Sequence, residues 1–398
     1  MDEFLPMSDL ADKALLPAGM CDVLPPDAAF EADVVERLMA SFAGHGYERV
    51  KPPLIEFEQS LLAGSGAAMA DQTFRLMDPV SQRMMGLRPD MTLQVARIAA
   101  TRLKKRPRPL RLGYAGQVLR VRGSQLRPER QFGQVGAELI GASAPNADAE
   151  VILIAVEALN ALGVGEMSVD LGLPTLVPAV VATLGLDSET AARLRAALDR
   201  KDAAEVAAMG DRLGADAGKT LLAMLAAAGP AEDTMEVLNR LALPEEAVRE
   251  RATLAAVVER VRAGAPDLNL TVDPVENRGF EYHTGVTFTL FAPNLRGELG
   301  GGGRYLADGI DGAGEPATGL TLFMDTVLRA LPRPAPPRRV LLPAGTPAAA
   351  GRKLREEGWV TVEAMEAAAD TAAEAERMGC GHMLEDGKLR ALEQKRGG

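Results

Sequence analysis

The run RQFGQVGAELIGA, residues 130–142, sets Gln134, Gly136 and Glu138 at alternate positions. Side chains at alternate positions of a β-strand share a face, so an amide and a carboxylate stand together, with the glycine between them leaving room for a ligand. A carboxylate there could hold an ammonium group. A zwitterionic amino acid also needs a cation for its own carboxylate, and both pairs count only when held out of water. Taken one at a time, the same residues could equally be satisfied polar groups of an ordinary sheet.

Other runs look chemical at first sight. GADAGKT, residues 214–220, suggests a phosphate-binding loop, but that loop needs four residues between its glycines and a buried strand before it. Here the spacing is shorter and the surroundings are helical. The glycines of GELGGGGRY, residues 297–305, could admit a ligand close to the backbone or simply make a turn. Cys21 and Cys380 lie near opposite ends of the chain and form neither a disulfide framework nor a metal clip. His45, His283 and His382 fit no zinc spacing. No metal and no cofactor are expected.

A formal net charge of −11 argues against tight, non-specific nucleic-acid binding, which needs many phosphate-neutralising side chains. The basic stretch RLKKRPRPLR, residues 102–111, reads as a solvated loop before a strand. The start, MDEFLPMSDLADK, is acidic and has no apolar stretch of signal-peptide kind. No uncharged run approaches the length of a membrane span. A cytoplasmic protein with no membrane partner is expected.

These candidates must be positioned by more than one domain, since 398 residues exceed one ordinary core. From Pro25 to His45 the spacing predicts an amphipathic helix, opened by Pro25 and Pro26 and capped by Asp27, with Phe30, Val34, Leu38 and Phe42 near one face. YERVKPPLIEF follows as a strand whose proline pair confines it to an edge or an irregular end. RLGYAGQVLRVR and RQFGQVGAELIGA read as strands, and ADAEVILIAVEALNALG as a helix ending at Gly163. Between about 186 and 265 the composition turns Ala-, Leu-, Glu- and Arg-rich, which predicts an all-helical insertion with Pro230 and Pro244 at helix starts. LNLTVDPV and GVTFTLFA return to strand character. The Pro-rich spacer 331–339 precedes a small α/β module at 340–398 with three strands and two helices.

Several stretches together resemble histidyl-tRNA synthetases of the class II aminoacyl-tRNA synthetase superfamily. The segment from Pro17 to Leu61 is similar to the first class II motif, and LRPDMTLQVARI, residues 87–98, to the LRPEGT segment. LRVRGSQLRPERQFGQVGAELIGA, residues 119–142, resembles the second motif. NRGFEYHTGVTF (277–288) and GGGRYLADGI (301–310) resemble the two histidine-binding signatures. The order and spacing agree over residues 15–331, and the helical insertion at 186–265 falls where that family carries one. The resemblance implies an α+β fold, a class II antiparallel sheet flanked by helices. It implies a histidine-like pocket from Asp90, Thr92, Arg120, Gln134, Glu138, Arg278, His283 and Tyr305. It also implies self-association as at least a dimer through residues 25–60, with Val34 and Leu38 in the contact.

The departures fall on the ATP side. In the second motif Arg122 stands where the family pattern has glutamate, and Gly123 where it has the next arginine. In the third motif Thr326 takes the place of the arginine that clamps ATP, with Asp325 just before it. A neutral hydroxyl cannot replace a planar cation that stacks and pairs with phosphates. Glu281 and His283 stand for the usual Asp and Tyr, and Leu306 for the Asp of GGRYD. The C-terminal module is shorter than an anticodon-binding domain and acidic between Glu356 and Glu385, which suits an RNA backbone poorly, so no tRNA partner is expected.

A synthetase-like core with these losses resembles the regulatory subunits of short-form ATP phosphoribosyltransferase. What that resemblance implies is a non-catalytic chain assembling with the short catalytic subunit, which joins ATP to phosphoribosyl pyrophosphate in the first step of histidine synthesis. Feedback by L-histidine is implied as well. A divergent histidyl-tRNA synthetase is the alternative, and a synthetase paralogue that transfers or senses amino acids is a third possibility.

Overall fold

Proline is tolerated where a helix begins, because no intrahelical partner is needed for its missing N–H. In the computed structural model, which describes residues 16–124, 127–276, 282–307 and 314–392, the first helix (α1, Asp27–Gly44) starts directly after Pro25–Pro26. Pro26 holds the N-cap position, so Asp27 is not the expected cap. It is an acid in the first turn, where the helix dipole favours it. Val34, Leu38, Met39 and Phe42 are buried in the main core of this same chain. An apolar face already covered by its own core is not free for a second copy, so Val34 and Leu38 do not carry the dimer contact expected of them.

The segment YERVKPPLIEF does not make one strand. It divides at Pro52–Pro53 into β1 (Glu48–Arg49) and β2 (Ile55–Phe57), which lie in different sheets. Proline has no N–H for a ladder, so the pair falls at the crossing between them. Strand β2 joins β3 (Arg75–Met77) and β4 (Met84–Leu87) in a three-stranded sheet ordered β2-β4-β3. The chain continues through α2 (Thr92–Thr101), β5 (Leu110–Leu119), β6 (Gln131–Ile140) and α3 (Pro145–Leu162). Gly163 closes α3 in the left-handed conformation, at φ 101°, a region open to glycine at little cost.

After β7 (Ser168–Gly172) comes the insertion, with helices at Ser188–Asp199, Ala215–Ala226 and Ala231–Arg240 among others. It is not wholly helical. Gly229 and Pro230 form a two-residue strand, β8, that pairs with β9 (Asn269–Asp273). Helix α4 (Glu245–Gly264) begins after Pro244 and packs on α3. GADAGKT lies in the helix Ala215–Ala226 and the loop before it, with no strand leading in.

Three further strands complete the large sheet: β10 (His283–Phe291), β11 (Gly300–Ala307) and β12 (Glu315–Phe323), followed by α5 (Met324–Ala330). Among the described residues the sheet order is β1-β5-β6-β12-β11-β10-β7-β9-β8. Its middle, from β5 to β7, is antiparallel throughout. The glycine-rich run is therefore a strand rather than a turn. α1, α3 and the insertion cover one face, where Val135, Ala137 and Leu139 of β6 join the main core. The mixed helix and sheet content is that of an α+β fold.

Arg304 ties β11 to α3. Its Nε and Nη2 donate to Asp148 Oδ2 at 3.1 and 2.7 Å, and its terminal nitrogens reach the carbonyls of Ala142 and Ala144, each at 3.0 Å. Both partners are buried, Asp148 at 1% exposure. Three arginines of the basic stretch are held in ion pairs as well: Arg106 with Glu48, Arg108 with Glu315 and Arg111 with Glu150.

The chain divides into two compact units, Met1–Pro332 and Arg333–Gly398. In the second, β13 (Arg339–Leu342), α6 (Ala348–Glu356), β14 (Val360–Glu363), α7 (Thr371–Arg377) and β15 (His382–Glu385) are followed by an additional strand, β16 (Lys388–Ala391). The order is β14-β13-β15-β16, parallel except for the closing hairpin.

Candidate functional site

Strand alternation sets one face of the large sheet toward a cavity of about 360 Å³. Opposite the core-facing residues of β6, Gln134, Gly136 and Glu138 share the other face. Asp90, Thr92, Arg120, Glu138, His283 and Tyr305 all line the cavity. Gln134 does not reach its wall. It stands behind Asp90, donating from Nε2 to Asp90 Oδ2 at 2.8 Å and accepting the Met91 N–H at 3.2 Å. With the Thr92 N–H donating to Asp90 Oδ1 at 2.8 Å, the Asp90 carboxylate is fixed from two sides. Arg278 and Glu281 lie outside the described residues.

Glu138 lines the cavity at 1% exposure. Tyr305 Oη donates to its Oε2 at 2.8 Å, and Tyr114 Oη to its Oε1 at 3.3 Å. Burial pushes the Glu138 carboxyl up to about 8, with the hydrogen bond from Tyr305 opposing. Burial likewise raises the Tyr114 and Tyr305 phenols well above their usual value, with the Glu138 charge adding to it. Tyr282 stacks on Tyr305, ring centroids 5.2 Å apart and 16° between planes.

The gap at Gly136 is not ligand space, contrary to expectation. A β-carbon there would run into the Tyr114 phenol, which fills the gap from the facing strand. Tyr114 Oη then sits 2.8 Å from Thr321 Oγ1 and 3.2 Å from Thr92 Oγ1. Tyr114, Thr321, Tyr282 and Met69 were not among the residues expected at the site. The pairing of a tyrosine opposite a glycine was the available signal for Tyr114. Met69 comes from a distant 3-10 helix, Gly64–Gln72, with nothing local to mark it, whereas Tyr282 lies inside the signature at 277–288, beside His283.

Also in the lining, Arg120 donates from Nε to the Pro89 carbonyl at 3.3 Å, and its guanidinium lies over the Phe132 ring at 5.1 Å. Burial pulls its pKa down, while Asp90 supports the charge. Asp90 and Arg120 are thus close together, and Glu138, near enough to Asp90 for the two charges to interact, is a second acid. That arrangement can bind an amino acid with a polar side chain.

The residues expected to mark a lost ATP site lie elsewhere. Arg122 is exposed. Thr326 is 1% exposed and donates to Asp325 Oδ2 at 3.3 Å. Asp325 also holds Arg127 at 3.1 Å, and the Arg127 guanidinium lies 3.8 Å from the centroid of the Phe323 ring. Leu306 is 45% exposed.

The histidyl-tRNA synthetase family model matches residues 19–327. The chain is 62% identical over 378 residues to the ATP phosphoribosyltransferase regulatory subunit of Paramagnetospirillum magneticum, covering 95% of this chain and 98% of that one. The chain belongs to the ATP phosphoribosyltransferase regulatory subunit family. The protein of that name from Rhodospirillum centenum is 59% identical, with 96% and 97% of the two chains covered. A solved structure described as a regulatory subunit of this kind or histidyl-tRNA synthetase, from Bacillus halodurans C, superposes with TM-score 0.79 at 26% identity, covering 92% of this chain and 96% of that one. Histidyl-tRNA synthetase from Nostoc sp. PCC 7120 gives TM-score 0.76 at 18% identity, over 94% and 91% of the chains, a likeness of fold. A regulatory subunit is a non-catalytic member of an enzyme complex. Among the described residues, no helix is long and apolar enough to cross a membrane.

Proposed function

We propose that this chain assembles with the short-form catalytic subunit of ATP phosphoribosyltransferase, is required for the first step of L-histidine biosynthesis, and confers on that step its inhibition by L-histidine. The observation that carries the proposal is the cavity itself: Asp90 beside Arg120 for the two charges of an amino acid, and Glu138 with Tyr305 for its side chain. The family's histidine signatures supply several of these residues. Feedback requires only that histidine bind one state of the complex better than another, typically by ~1–3 kcal/mol. Self-association as at least a dimer belongs to this proposal and is supported by the likeness to the first class II motif. So do a cytoplasmic location, where ATP is at hand, and the lack of a tRNA partner, which the acidic C-terminal unit favours.

The test is phosphoribosyl-ATP formation by the catalytic subunit with and without this chain, titrated with L-histidine. Activation together with a histidine-inhibition curve is the expected result. Neither effect in the cognate pair would sink the partner assignment, and histidine-dependent pyrophosphate exchange at a synthetase-like rate would favour the synthetase alternative instead.

A further inference from the structure

Glu138 is a buried acid with hydroxyl neighbours and no Arg or Lys paired to it among the described residues. From β5 it meets Tyr114, from the start of α2 Thr92 with Asp90 just before it, and from β11 Tyr305. Tyr282 and His283 of the cavity wall lie on the side of Tyr305, and β12 offers only Gly319 and Thr321, which do not titrate. Arg120 lines the same cavity, beside Asp90. A carboxylate out of water with no counter-cation is costly, so such an acid keeps its proton near neutrality. Its neighbours accept that form. Tyr305 donates to Oε2, while a proton on Oε1 can be given to Tyr114 Oη, which turns its own hydrogen to Thr321 Oγ1 at 2.8 Å.

The two groups of the cavity can therefore do different work. An amino acid carries its ammonium and carboxylate on one carbon, which matches Asp90 and Arg120 side by side and sends the side chain to Glu138. Resting on the amino-acid reading given above, we propose that Glu138 receives the ligand as a neutral acid and donates its O–H as a hydrogen bond to the ligand's side-chain base, the pair sharing that one proton. No covalent bond is broken, and no proton is exchanged with water. The pocket selects a neutral, basic side chain and holds it in a pair that carries one proton between carboxyl and imidazole.

A pH window follows. Below the imidazole pKa, about 6.5, the ligand arrives already protonated and Glu138 must release its own proton to water. Above about 8, Glu138 has lost that proton and the pair needs one from water. Affinity is greatest between the two values and falls ~tenfold per pH unit on either side.

The experiment is calorimetric titration of L-histidine into the complete chain bound to its catalytic subunit, in pairs of buffers with different ionisation enthalpies, so that heat reports protons exchanged. The expected result is no net exchange near neutrality, about one proton released per histidine on the acid side and about one taken up on the alkaline side. In Glu138→Gln the alkaline limb flattens to what the ligand's own ammonium contributes, since that group titrates equally against both proteins. The wild-type proton count stands by itself if the variant does not fold. Affinity that is flat with pH, or a full proton released near neutrality, overturns the inference and leaves the amino-acid site standing. No histidine binding at any pH overturns both.

Discussion

The Glu138 carboxylate lies in the space that a β-carbon on Gly319 would need. The two residues are direct partners across β6 and β12, so the acid crosses the neighbouring strand at the one position without a side chain. Gly319→Ala should therefore push the Glu138 side chain out of place. Overpacking of this kind costs typically ~1–3 kcal/mol. Thermal unfolding should show the loss, and histidine titration should show binding weakened beyond it. Full histidine affinity in a folded Gly319→Ala protein would contradict this geometry.

Glu138 also predicts how stability varies with pH. Its carboxyl is raised from 4.5 to about 8 by burial, so between those values the unfolded chain has given up a proton that the folded chain keeps. The stabilisation is complete below about 4.5 and is lost as pH rises through about 8. At ~1.4 kcal/mol per unit the whole loss is on the order of 5 kcal/mol. Glu138→Gln removes the ionisation, so its stability relative to wild type should rise steadily from acid to alkaline conditions in urea unfolding. A constant difference across that range would mean that the acid is not held neutral.

The Arg304–Asp148 pair is buried on both sides. Removing one partner of such a pair leaves a charge stranded, at ~3–5 kcal/mol, whereas replacing both with apolar side chains is often close to neutral. Arg304→Met and Asp148→Leu should each lower the urea midpoint strongly, and the double variant should recover most of it. Strictly additive losses would show that the two side chains act independently.

Leu38 gives a prediction opposite to the one its position in the first motif suggests. It is fully buried within its own chain, so Leu38→Ala should cost ~2–5 kcal/mol of folding stability. Sedimentation should leave the assembly state of the folded variant unchanged. Dissociation without loss of stability would return Leu38 to an interface.

Much of this molecule was legible in the sequence, and the reasons differ from place to place. Period-two alternation marked β6, whose side chains do divide between the core and the opposite face as strand geometry requires. Period-3.6 spacing after a proline pair marked α1, and Gly163 marked the end of α3, because those residues act locally through φ and the missing N–H.

Where local rules were silent, pairing partners decided. Gly229 and Pro230 became a strand only because β9 lies alongside, and YERVKPPLIEF was split between two sheets by the partners available on each side of its prolines. The burial of Val34 and Leu38 required knowing that the chain's own core already covers α1. Above all, the sequence determined that Gly136 has no side chain, but only the register of β5 against β6 decided that Tyr114 fills the gap. Gln134 passed from ligand wall to support in the same way, since Asp90 stands in front of it. A strand's sequence fixes which residues share a face. What occupies the space above that face depends on segments far away in the chain, brought there by the fold.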